Sequence, residues 1–351
     1  MTKTDIKSMT LEELEDFTVN VLGEKKFRAK QMYEWMHVKM VDSADEMTNL
    51  SAKLRVQLKE KTEIAHLTIV KRLISKVDGT RKYLFQLPDG NVIESVWMQY
   101  KHGNSVCISS QVGCRMGCRF CASTLGGLAE NLTAAQMLEE IYEIQKDTGE
   151  RVSNIVIMGS GEPLDNYDAV VRFLHLVSCE QGINISQRSI TLSTCGIVPK
   201  IYDLAEENLQ ITLAISLHAS NDERRRELMP IANKYSIDEI LKACRYYYSK
   251  NNRRLTFEYS LVGGVNDSED EAIRLAKLLE GLNCHINLIP VNPVKERDYV
   301  QSDTVSVMNF KNNLEKCGRN VTIRREMGRD IQAACGQLRK SYMESEAEGG
   351  T

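Results

Sequence analysis

The chain has 351 residues, of which 42% are hydrophobic and 26% are charged, and its formal net charge is −3. These proportions are ordinary for a soluble globular protein, and the length allows one large α/β domain with a smaller appendage. A slightly acidic chain is not a basic nucleic-acid binder as a whole, so any such role depends on local clusters. Three basic clusters occur, each typical of a solvated face or of a phosphate-binding stripe: Lys25, Lys26, Arg28 and Lys30; Arg224, Arg225 and Arg226; Arg324, Arg325 and Arg329.

The cellular location is predicted from what the sequence lacks. No run of residues approaches membrane-spanning length, and the N-terminal Met-Thr-Lys-Thr-Asp has no apolar signal core. The chain carries ten cysteines, which without a signal peptide indicate a reducing compartment. We therefore expect a cytoplasmic protein with no membrane partner.

The first hundred residues predict a helical head followed by a β-meander. Helical periodicity occurs at Leu11–Leu22, Arg28–Val38 and Asn49–Lys61. Strand-like runs follow at Leu67–Ser75, Arg81–Gln86 and Asn91–Tyr100. The Asp-Gly pairs between these runs are hairpin-turn signals. We expect a helical, RNA-binding-type domain at 1–64 and a β-meander linker at 65–100.

Strand and helix patterns alternate in the rest of the chain. Strands are predicted at Ser105–Ser110, Asn154–Met158, Ser189–Ser193, Ile211–Leu217, Leu255–Leu261, His285–Ile289 and Val321–Arg325. Helices are predicted at Ala134–Lys146, Asp168–Ser178, Ile237–Ser249, Glu269–Leu279 and Thr304–Cys317. Such βα units predict an α/β fold with a parallel sheet, either doubly wound or rolled into a barrel. The number of strands favours a full or partial TIM-type (β/α) barrel over 101–340, with chemistry at the carboxyl ends of its strands. The acidic tail 341–351 is expected to be disordered.

A cysteine triplet follows the first strand of this barrel: Cys114, Cys118 and Cys121. Three thiolates at this spacing can converge on one metal centre while leaving one coordination position without a cysteine. Structural zinc sites are closed at four ligands, and ordinary 4Fe-4S ferredoxin clusters have four cysteines. The C-x₃-C-x₂-C spacing is typical of radical S-adenosylmethionine (SAM) enzymes, in which the open iron holds the amino and carboxylate groups of SAM. A zinc knuckle and buried apolar cysteines are the alternatives.

Polar residues follow several other strands of the predicted barrel. They are Gly159-Ser160-Gly161-Glu162-Pro163, Ser193-Thr194-Cys195-Gly196, Ser216-Leu217-His218 and Pro290-Val291-Asn292-Pro293. Taken alone, Glu162 lies either in a tight turn or where a carboxylate receives an ammonium group, and His218 is typical of a core or loop histidine. Polar residues at four strand ends are hard to explain as packing, so we expect them to surround a bound small molecule.

Two further cysteines stand apart from the triplet. Cys107 lies in the first barrel strand, and Cys335 lies just past the last strand. Cys335 is flanked by alanine and glycine, which leave its sulfur room to act as a nucleophile or to carry a covalent adduct. The other cysteines outside the strand ends are expected to be structural.

From about Leu11 to Leu338 the chain resembles the RlmN family of radical SAM methyltransferases. The motifs that carry this resemblance are Cys107-Ile-Ser-Ser-Gln111, the triplet with Cys121-Ala-Ser-Thr-Leu-Gly-Gly127, Gly161-Glu162-Pro163, Ser216-Leu217-His218, Arg324-Arg325-Glu326 and Ala334-Cys335-Gly336-Gln337-Leu338. The related Cfr family shares most of them, but the Ala-Ser-Thr-Leu-Gly-Gly and Arg-Arg-Glu runs are more similar to RlmN.

The resemblance implies methylation of C2 of adenosine in 23S rRNA and in tRNA, there at the adenosine next to the anticodon. It implies one 4Fe-4S cluster and two SAM molecules per turnover, one as methyl donor and one as radical source. Cys335 would first be methylated, and a 5′-deoxyadenosyl radical would then take a hydrogen from its S-methyl group. The resulting carbon radical would add to the adenine, and Cys107 would release the product by forming a transient disulfide with Cys335.

The resemblance also implies roles for further residues and partners. Glu94 would be a proton acceptor, the triplet would ligate the cluster, and SAM would be contacted by Gly161, Glu162, Ser193, Ser216, Leu217, His218 and Asn292. The helical head and the basic clusters would hold folded RNA. A flavodoxin- or ferredoxin-type protein would supply electrons, and the chain would work as a monomer. The alternatives are Cfr-type methylation at C8 and a non-catalytic, metal-bearing RNA-binding protein.

Overall fold

The structure is a computed structural model that describes residues 3–101, 103–292, 294, 296–334 and 336–337. Within these residues the chain forms an N-terminal group of helices and one large sheet flanked by helices. The predicted α/β fold class with a small helical N-terminal region is therefore confirmed. Cys335 and the predicted tail 341–351 lie outside the described residues.

Three helices form the N-terminal head, as the periodicity predicted: α1 (Leu11–Asn20), α2 (Phe27–His37) and α3 (Ala52–Lys61). α1 begins with a capping box, because Thr10 Oγ1 accepts from the Glu13 N–H while the Glu13 carboxylate accepts from the Thr10 N–H. The short strands β1 (Thr4–Asp5) and β2 (Thr62–Glu63) pair in parallel. This pairing brings the two ends of the head together.

A ten-stranded sheet dominates the rest of the molecule. The strands that follow β2 are β3 (Thr68–Ile74), β4 (Arg81–Gln86), β5 (Val92–Tyr100), β6 (Gly103–Ile108), β7 (Gln111–Gly113), β8 (Leu128–Asn131), β9 (Val152–Ile157), β10 (Ile190–Thr194), β11 (Thr212–Ser216), β12 (Leu255–Leu261), β13 (Cys284–Pro290) and β14 (Val321–Ile323). All but β7 and β8 join one sheet in the order β14-β13-β12-β11-β10-β9-β6-β5-β4-β3. The predicted meander strands β3 to β5 pair antiparallel, and β5 pairs antiparallel with β6. The other strands of this sheet, β6 and β9 to β14, are parallel to one another.

Helices connect the parallel strands. They are α4 (Ala134–Thr148), α5 (Tyr167–Val177), α6 (Val198–Glu206), α7 (Asp222–Leu228), α8 (Ile237–Asn251), α9 (Glu269–Leu278) and α10 (Thr304–Lys316). α8 illustrates their packing, because Ile237, Ile240, Leu241 and Cys244 repeat at helical spacing and are buried. In the described residues β14 and β3 are the two edges of the sheet. The parallel strands therefore form a partial barrel.

The head is fixed to the barrel through α4. Lys7 and Glu139 form an ion pair of 2.5 Å in which both side chains are fully buried. His37 Nδ1 lies 2.9 Å from the hydroxyl of Tyr142. Removing one partner of a buried ion pair costs about 3–5 kcal/mol, because the other charge is left uncompensated. Replacing either Lys7 or Glu139 alone is therefore expected to weaken the packing of the head against α4.

Several elements were not predicted from the sequence. The hairpin β7–β8 has strands of only three and four residues, and α6 carries a proline in its first turn. α7 is seven residues long and contains the arginine run. Elements this short have too few residues to show a clear period. Within the described part of the chain, no helix combines the length and apolarity needed to cross a membrane.

Candidate functional site

A cleft opens at the carboxyl ends of the parallel strands, and we call it the first cavity; its empty volume, including space open to solvent, is about 940 Å³. The thiols of Cys114, Cys118 and Cys121 all lie on its wall. The predicted SAM-contacting residues that also line it are Gly161, Glu162, Ser193, Ser216, His218 and Asn292. Residues from six different strand ends and from the triplet loop thus share one space.

The triplet loop is held by the β7–β8 hairpin. Gly113 has φ +75°, and a Cβ at this position would lie 2.0 Å from the carbonyl oxygen of Gly127, so no side chain can be accommodated. Thr124 Oγ1 donates to the carbonyl oxygens of Cys118 at 3.1 Å and Cys121 at 2.9 Å. These contacts fix the backbone at two of the three cysteines.

The three thiols fit an iron–sulfur cluster. Burial raises the pKa of Cys114 to about 12, and burial together with the neighbouring Cys121 and Cys114 thiols raises the pKa of Cys118. Three thiolates can coexist here only beside a compensating cation. A set of three sulfur ligands is typical of a soft metal centre, in contrast to the oxygen ligands that magnesium and calcium prefer. The residues present therefore suit a 4Fe-4S cluster with three protein ligands.

Glu162 is a buried carboxylate beside the triplet. Its oxygens accept hydrogen bonds from Thr194 Oγ1 at 2.6 Å and from the backbone N–H of Cys195 at 2.7 Å. Gly161, with φ +107°, lets the chain turn against Gln111, whose backbone nitrogen would lie 2.8 Å from a Cβ. Burial raises the pKa of Glu162 although these hydrogen bonds lower it. The carboxylate is thus held rigidly where it can receive a cationic group.

Ser193, Ser216 and His218 continue the wall of the first cavity. Ser193 Oγ lies 3.3 Å from Ser216 Oγ. His218 has φ +56°, a strained conformation for a residue with a side chain, and its Nδ1 accepts from the N–H of Ser260 at 2.9 Å. Burial, with Arg225 nearby, lowers the pKa of His218 to about 3. The imidazole is therefore neutral and carries its proton on Nε2.

Arg225 holds two of these strand ends, a role that sequence reasoning missed. The sequence left open whether Arg224–Arg226 is a solvated face or a phosphate-binding stripe. Arg225 belongs to neither, because it is fully buried and donates to the carbonyl oxygens of Cys195 at 2.6 Å and Leu217 at 3.2 Å. The partners are backbone atoms of distant strand ends, so no local sequence pattern marks them.

Asn266 is a second residue that the sequence did not reveal. Its side chain is fully buried, and Nδ2 donates to the carbonyl oxygens of His218 at 2.9 Å and Ser260 at 2.7 Å. Oδ1 accepts from the N–H of Val262 at 2.8 Å. One amide thus fixes the backbone after β11 and at the end of β12.

A second cavity of about 660 Å³ adjoins the first. The two share Met158, Ile289, Asn292 and Arg324. The other residues of the second cavity are Val96, Met98, Tyr100, Cys107, Pro290, Gln301, Arg325, Glu326, Met327, Ala333 and Ala334. Cys107 therefore lies outside the first cavity and beside the segment that leads to Cys335.

Glu94 lies near the second cavity without lining it. On β5 it shares a face with Val96, which does line that cavity, because side chains alternate along a strand. Glu94 pairs with Lys82 at 3.0 Å, and both side chains are nearly buried. Lys82 Nζ also donates to the carbonyl oxygen of Gln332 at 3.2 Å. The ion pair thus connects the meander to the C-terminal segment.

The same C-terminal segment is bound by the turn between β3 and β4. Asp330 accepts hydrogen bonds from Ser75 Oγ at 2.7 Å and from the N–H of Lys76 at 3.0 Å. The N–H of Gly328 donates to Asp78 Oδ2 at 3.0 Å. We call residues 328–334 the C-terminal loop, and these contacts dock it on the hairpin.

Two of the predicted site residues that the structure describes, Glu94 and Leu217, line neither cavity. Leu217 is fully buried and is not among the residues that line the two cavities; its backbone N–H donates to the carbonyl oxygen of Glu258 at 3.1 Å. Cys335, the predicted carrier cysteine, lies outside the described residues. Its role stays a prediction.

The fold and the triplet agree with comparisons to known families. Residues 108–276 match the family model described as the radical SAM superfamily, and residues 4–64 match the model described as the ribosomal RNA large subunit methyltransferase N-terminal domain. A crystal structure of a radical SAM methyltransferase from Sphaerobacter thermophilus is 41% identical and superposes with a TM-score of 0.92, covering 96% of this chain and 99% of that one. The class defined by fold and site is that of a radical SAM protein.

Two relatives narrow this class to a family. A probable dual-specificity RNA methyltransferase RlmN of Lachnospira eligens is 64% identical, with 99% of each chain covered. A protein of the same name from Lachnoclostridium phytofermentans is 63% identical over 97% of this chain and 95% of the relative. At this identity and coverage, the chain belongs to the RlmN family.

Proposed function

We propose that this protein methylates C2 of adenosine in 23S rRNA and in tRNA by radical SAM chemistry. The observation that carries the proposal is the meeting of two cavities: the first holds three cysteines and a buried carboxylate, and the second holds Cys107. Membership of the RlmN family supports the reaction type. The relatives are named dual-specificity RNA methyltransferases.

The first cavity is the proposed site of the cluster and of SAM. Cys114, Cys118 and Cys121 would hold a 4Fe-4S cluster, which together with SAM supplies one-electron chemistry that can activate an unreactive C–H bond. Glu162 would receive the ammonium group of SAM, because it is a fixed carboxylate beside the triplet. The hydroxyls of Ser193 and Ser216 and the neutral imidazole of His218 would orient the rest of the molecule.

The second cavity is the proposed site of the target adenine and of the covalent step. Carbon 2 of adenine is electron-poor, so a simple polar methyl transfer from SAM is not available. Cys335 would carry the methyl group, and Cys107 would attack Cys335 to release the product as a transient disulfide forms. Cys107 is 6% exposed, and the second cavity is the space through which another sulfur would approach it. Glu94 would accept a proton from C2, and the contact with Lys82 would orient its carboxylate.

The remaining proposals concern partners and domains. Residues 1–64 would be a domain that binds folded RNA, which the match of residues 4–64 to a ribosomal RNA methyltransferase domain supports. Residues 65–100 would link it to the barrel at 101–340. A flavodoxin- or ferredoxin-type protein would donate electrons to a monomeric, cytoplasmic enzyme.

Mass analysis of RNA nucleosides tests the proposed reaction. Cluster-loaded protein is incubated with SAM, a reductant and unmodified 23S rRNA or tRNA, and the RNA is then digested. We expect 2-methyladenosine from both RNAs, and none when SAM is omitted. Formation of 8-methyladenosine would instead identify Cfr-type chemistry. Absence of any methylated adenosine from an iron-loaded, SAM-cleaving sample would refute the proposed substrate.

A further inference from the structure

The first cavity contains a buried carboxylate for which neither the sequence motifs nor the proposed mechanism provides a role. Glu258 on β12 lines this cavity, and its side chain is only 3% exposed. Its Oε1 accepts a hydrogen bond from Asn287 Nδ2 at 2.9 Å, but no described residue donates one to Oε2. Buried polar atoms nearly always have a hydrogen-bond partner. An orphaned carboxylate oxygen on a cavity wall therefore indicates a donor that arrives with the ligand.

A row of side chains from neighbouring strands holds Glu258 in place. Ser216, Glu258, Asn287 and Thr322 lie in register across β11, β12, β13 and β14. Thr322 Oγ1 donates to Asn287 Oδ1 at 2.7 Å, which directs the amide nitrogen of Asn287 towards Glu258. Arg324 Nη1 lies 3.9 Å from Glu258 Oε2, close enough to oppose its charge but beyond hydrogen-bond distance. The row thus holds the Glu258 carboxyl group in position and leaves Oε2 without a hydrogen bond.

The chemistry of the wall changes around the first cavity in an order that matches the three parts of SAM. The triplet and Glu162 form a charged end that suits an amino acid group. Ser193 and Ser216 then offer hydroxyls at the ends of β10 and β11. Ile289 and Val291 at the end of β13 offer an apolar surface that suits a flat base. Glu258 on β12 lies between the hydroxyls and the apolar surface, where the ribose would lie.

We propose that Glu258 is a SAM-binding residue whose Oε2 accepts a hydrogen bond from a ribose hydroxyl. This assignment rests on the proposed function, because it takes SAM as the ligand of the first cavity. A hydroxyl is the fitting donor, since Arg324 already opposes the charge of Glu258 and the adjacent wall is lined by Ser216. A carboxyl oxygen that is buried without a partner gains a great deal from such a hydrogen bond, because the bond offsets the cost of removing that oxygen from water. Glu258 would therefore make the site selective for ribose over deoxyribose.

Binding of small nucleosides tests this role apart from catalysis. The probe is 5′-deoxyadenosine, which carries the ribose and base of SAM without the amino acid that iron would bind. Its affinity for anaerobic, cluster-loaded protein is measured by calorimetry and compared with that of its 2′-deoxy and 3′-deoxy versions and of the analogue that lacks the 6-amino group. Wild-type protein should bind the version without the contacted hydroxyl about tenfold more weakly.

Glu258→Gln is the decisive variant, because it keeps the size of the side chain and removes the charged acceptor. We expect it to bind 5′-deoxyadenosine about tenfold more weakly than wild type and to lose the discrimination between ribose and deoxyribose. Glu258→Asp keeps the charge but withdraws it by one methylene, so its affinity should be intermediate. Iron content and the thermal unfolding midpoint of both variants, measured first, show that the fold is retained.

Three results would overturn the assignment in different ways. If Glu258→Gln discriminates between the sugars as wild type does, Glu258 does not bind the ribose. If the variant instead loses its response to the 6-amino group alone, the donor is the adenine and the ribose assignment is wrong. Cluster-loaded wild-type protein that binds neither SAM nor 5′-deoxyadenosine would refute the proposed function itself, and the role of Glu258 with it.

Discussion

The two cavities share a wall but differ in chemistry. The first is lined by the three thiols of the triplet and by Cys195, by the buried carboxylates Glu162 and Glu258, and by several hydroxyls. Most residues that line the second cavity besides Cys107 are apolar, and its charged residues are Arg324, Arg325 and Glu326. A zwitterionic cofactor needs fixed polar partners, whereas a flat base is bound largely by apolar contact. Under the proposed function, the fold separates the place where a reactive group is generated from the place where it acts.

The two cavities also differ in what holds their walls. Backbone clamps deep in the barrel, such as Arg225 and Asn266, fix the strand ends around the first cavity. One wall of the second cavity is the C-terminal loop, which is bound to the β3–β4 hairpin through the side chains of Ser75, Asp78 and Asp330. The first cavity is therefore built into the core, and the second is closed by contacts near the surface. Variants of the two cavities should therefore lose different steps of the reaction.

Changing any one of Cys114, Cys118 or Cys121 to Ala should have the largest effect. Each variant should lose the cluster and all activity, because three ligands leave none to spare. Iron and sulfide are measured after anaerobic reconstitution. Cys195→Ala is the matched control, since this thiol lines the same cavity outside the triplet and should leave iron content unchanged. A triplet variant with a full cluster and intact reductive SAM cleavage would show that the metal site is elsewhere.

Cys335→Ala should end methylation of RNA while leaving the cluster intact. The reason is that the proposed role of Cys335 is covalent rather than metal-binding, so the ligands of the cluster are untouched. Peptide mass spectrometry of the native protein after incubation with SAM should find a methyl group on Cys335. An active Cys335→Ala enzyme, with no methyl group on the native cysteine, would contradict the carrier role.

Cys107→Ala should stall the reaction at its last step. If Cys107 releases the product by attacking Cys335, its loss leaves protein and RNA covalently joined. Nuclease-sensitive cross-linked RNA should then appear on denaturing gels of the variant purified from cells. Cys244→Ala, which removes a thiol from the core side of α8, is the control and should carry no RNA. Normal turnover by Cys107→Ala would mean that Cys107 is only a buried strand residue.

The fold and the triplet could be predicted from the sequence because their signals are local. The period of apolar residues marked α8, and turn signals marked the meander, so their bounds agree with the structure to within a few residues. The metal site could be predicted because the three cysteines of the triplet lie within one short loop. The polar residues at the strand ends could also be predicted to form a site, because parallel strands bring their carboxyl ends to one edge.

The rest of the site depends on partners distant in the chain. Arg225 looked like part of a basic run, and only the folded structure shows that it donates to the ends of β10 and β11. Glu258 lies in a strand that also contains Thr256 and Ser260, so nothing in the sequence singles it out. Its importance comes from register with Asn287 and Thr322 on two other strands, which no sequence window contains. Interactions of this kind, between residues distant in the chain, can be identified only in the folded structure.

Docking of the C-terminal loop gives the prediction with the smallest expected effect. Gly328 has φ +62°, and a Cβ there would lie 2.7 Å from Ala333 Cβ and 3.0 Å from Thr80 Cγ2. Gly328→Ala should therefore displace the loop that forms one wall of the second cavity. We expect RNA methylation to slow by about fivefold to tenfold, which corresponds to about 1–1.4 kcal/mol and lies at the low end of the cost of such overpacking. SAM cleavage without RNA should be unchanged, since it depends on the first cavity.

Gly318→Ala is the matched control for this loop variant. Gly318 has φ +73°, so alanine is strained there as well, but nothing lies within 4 Å of its Cβ position. Both variants should lose about 1 kcal/mol of stability from the left-handed backbone alone. Only Gly328→Ala should slow methylation relative to SAM cleavage. Equal methylation rates in the two variants would show that loop docking does not control the second cavity, and slower SAM cleavage in Gly328→Ala would show that the two cavities are not separable.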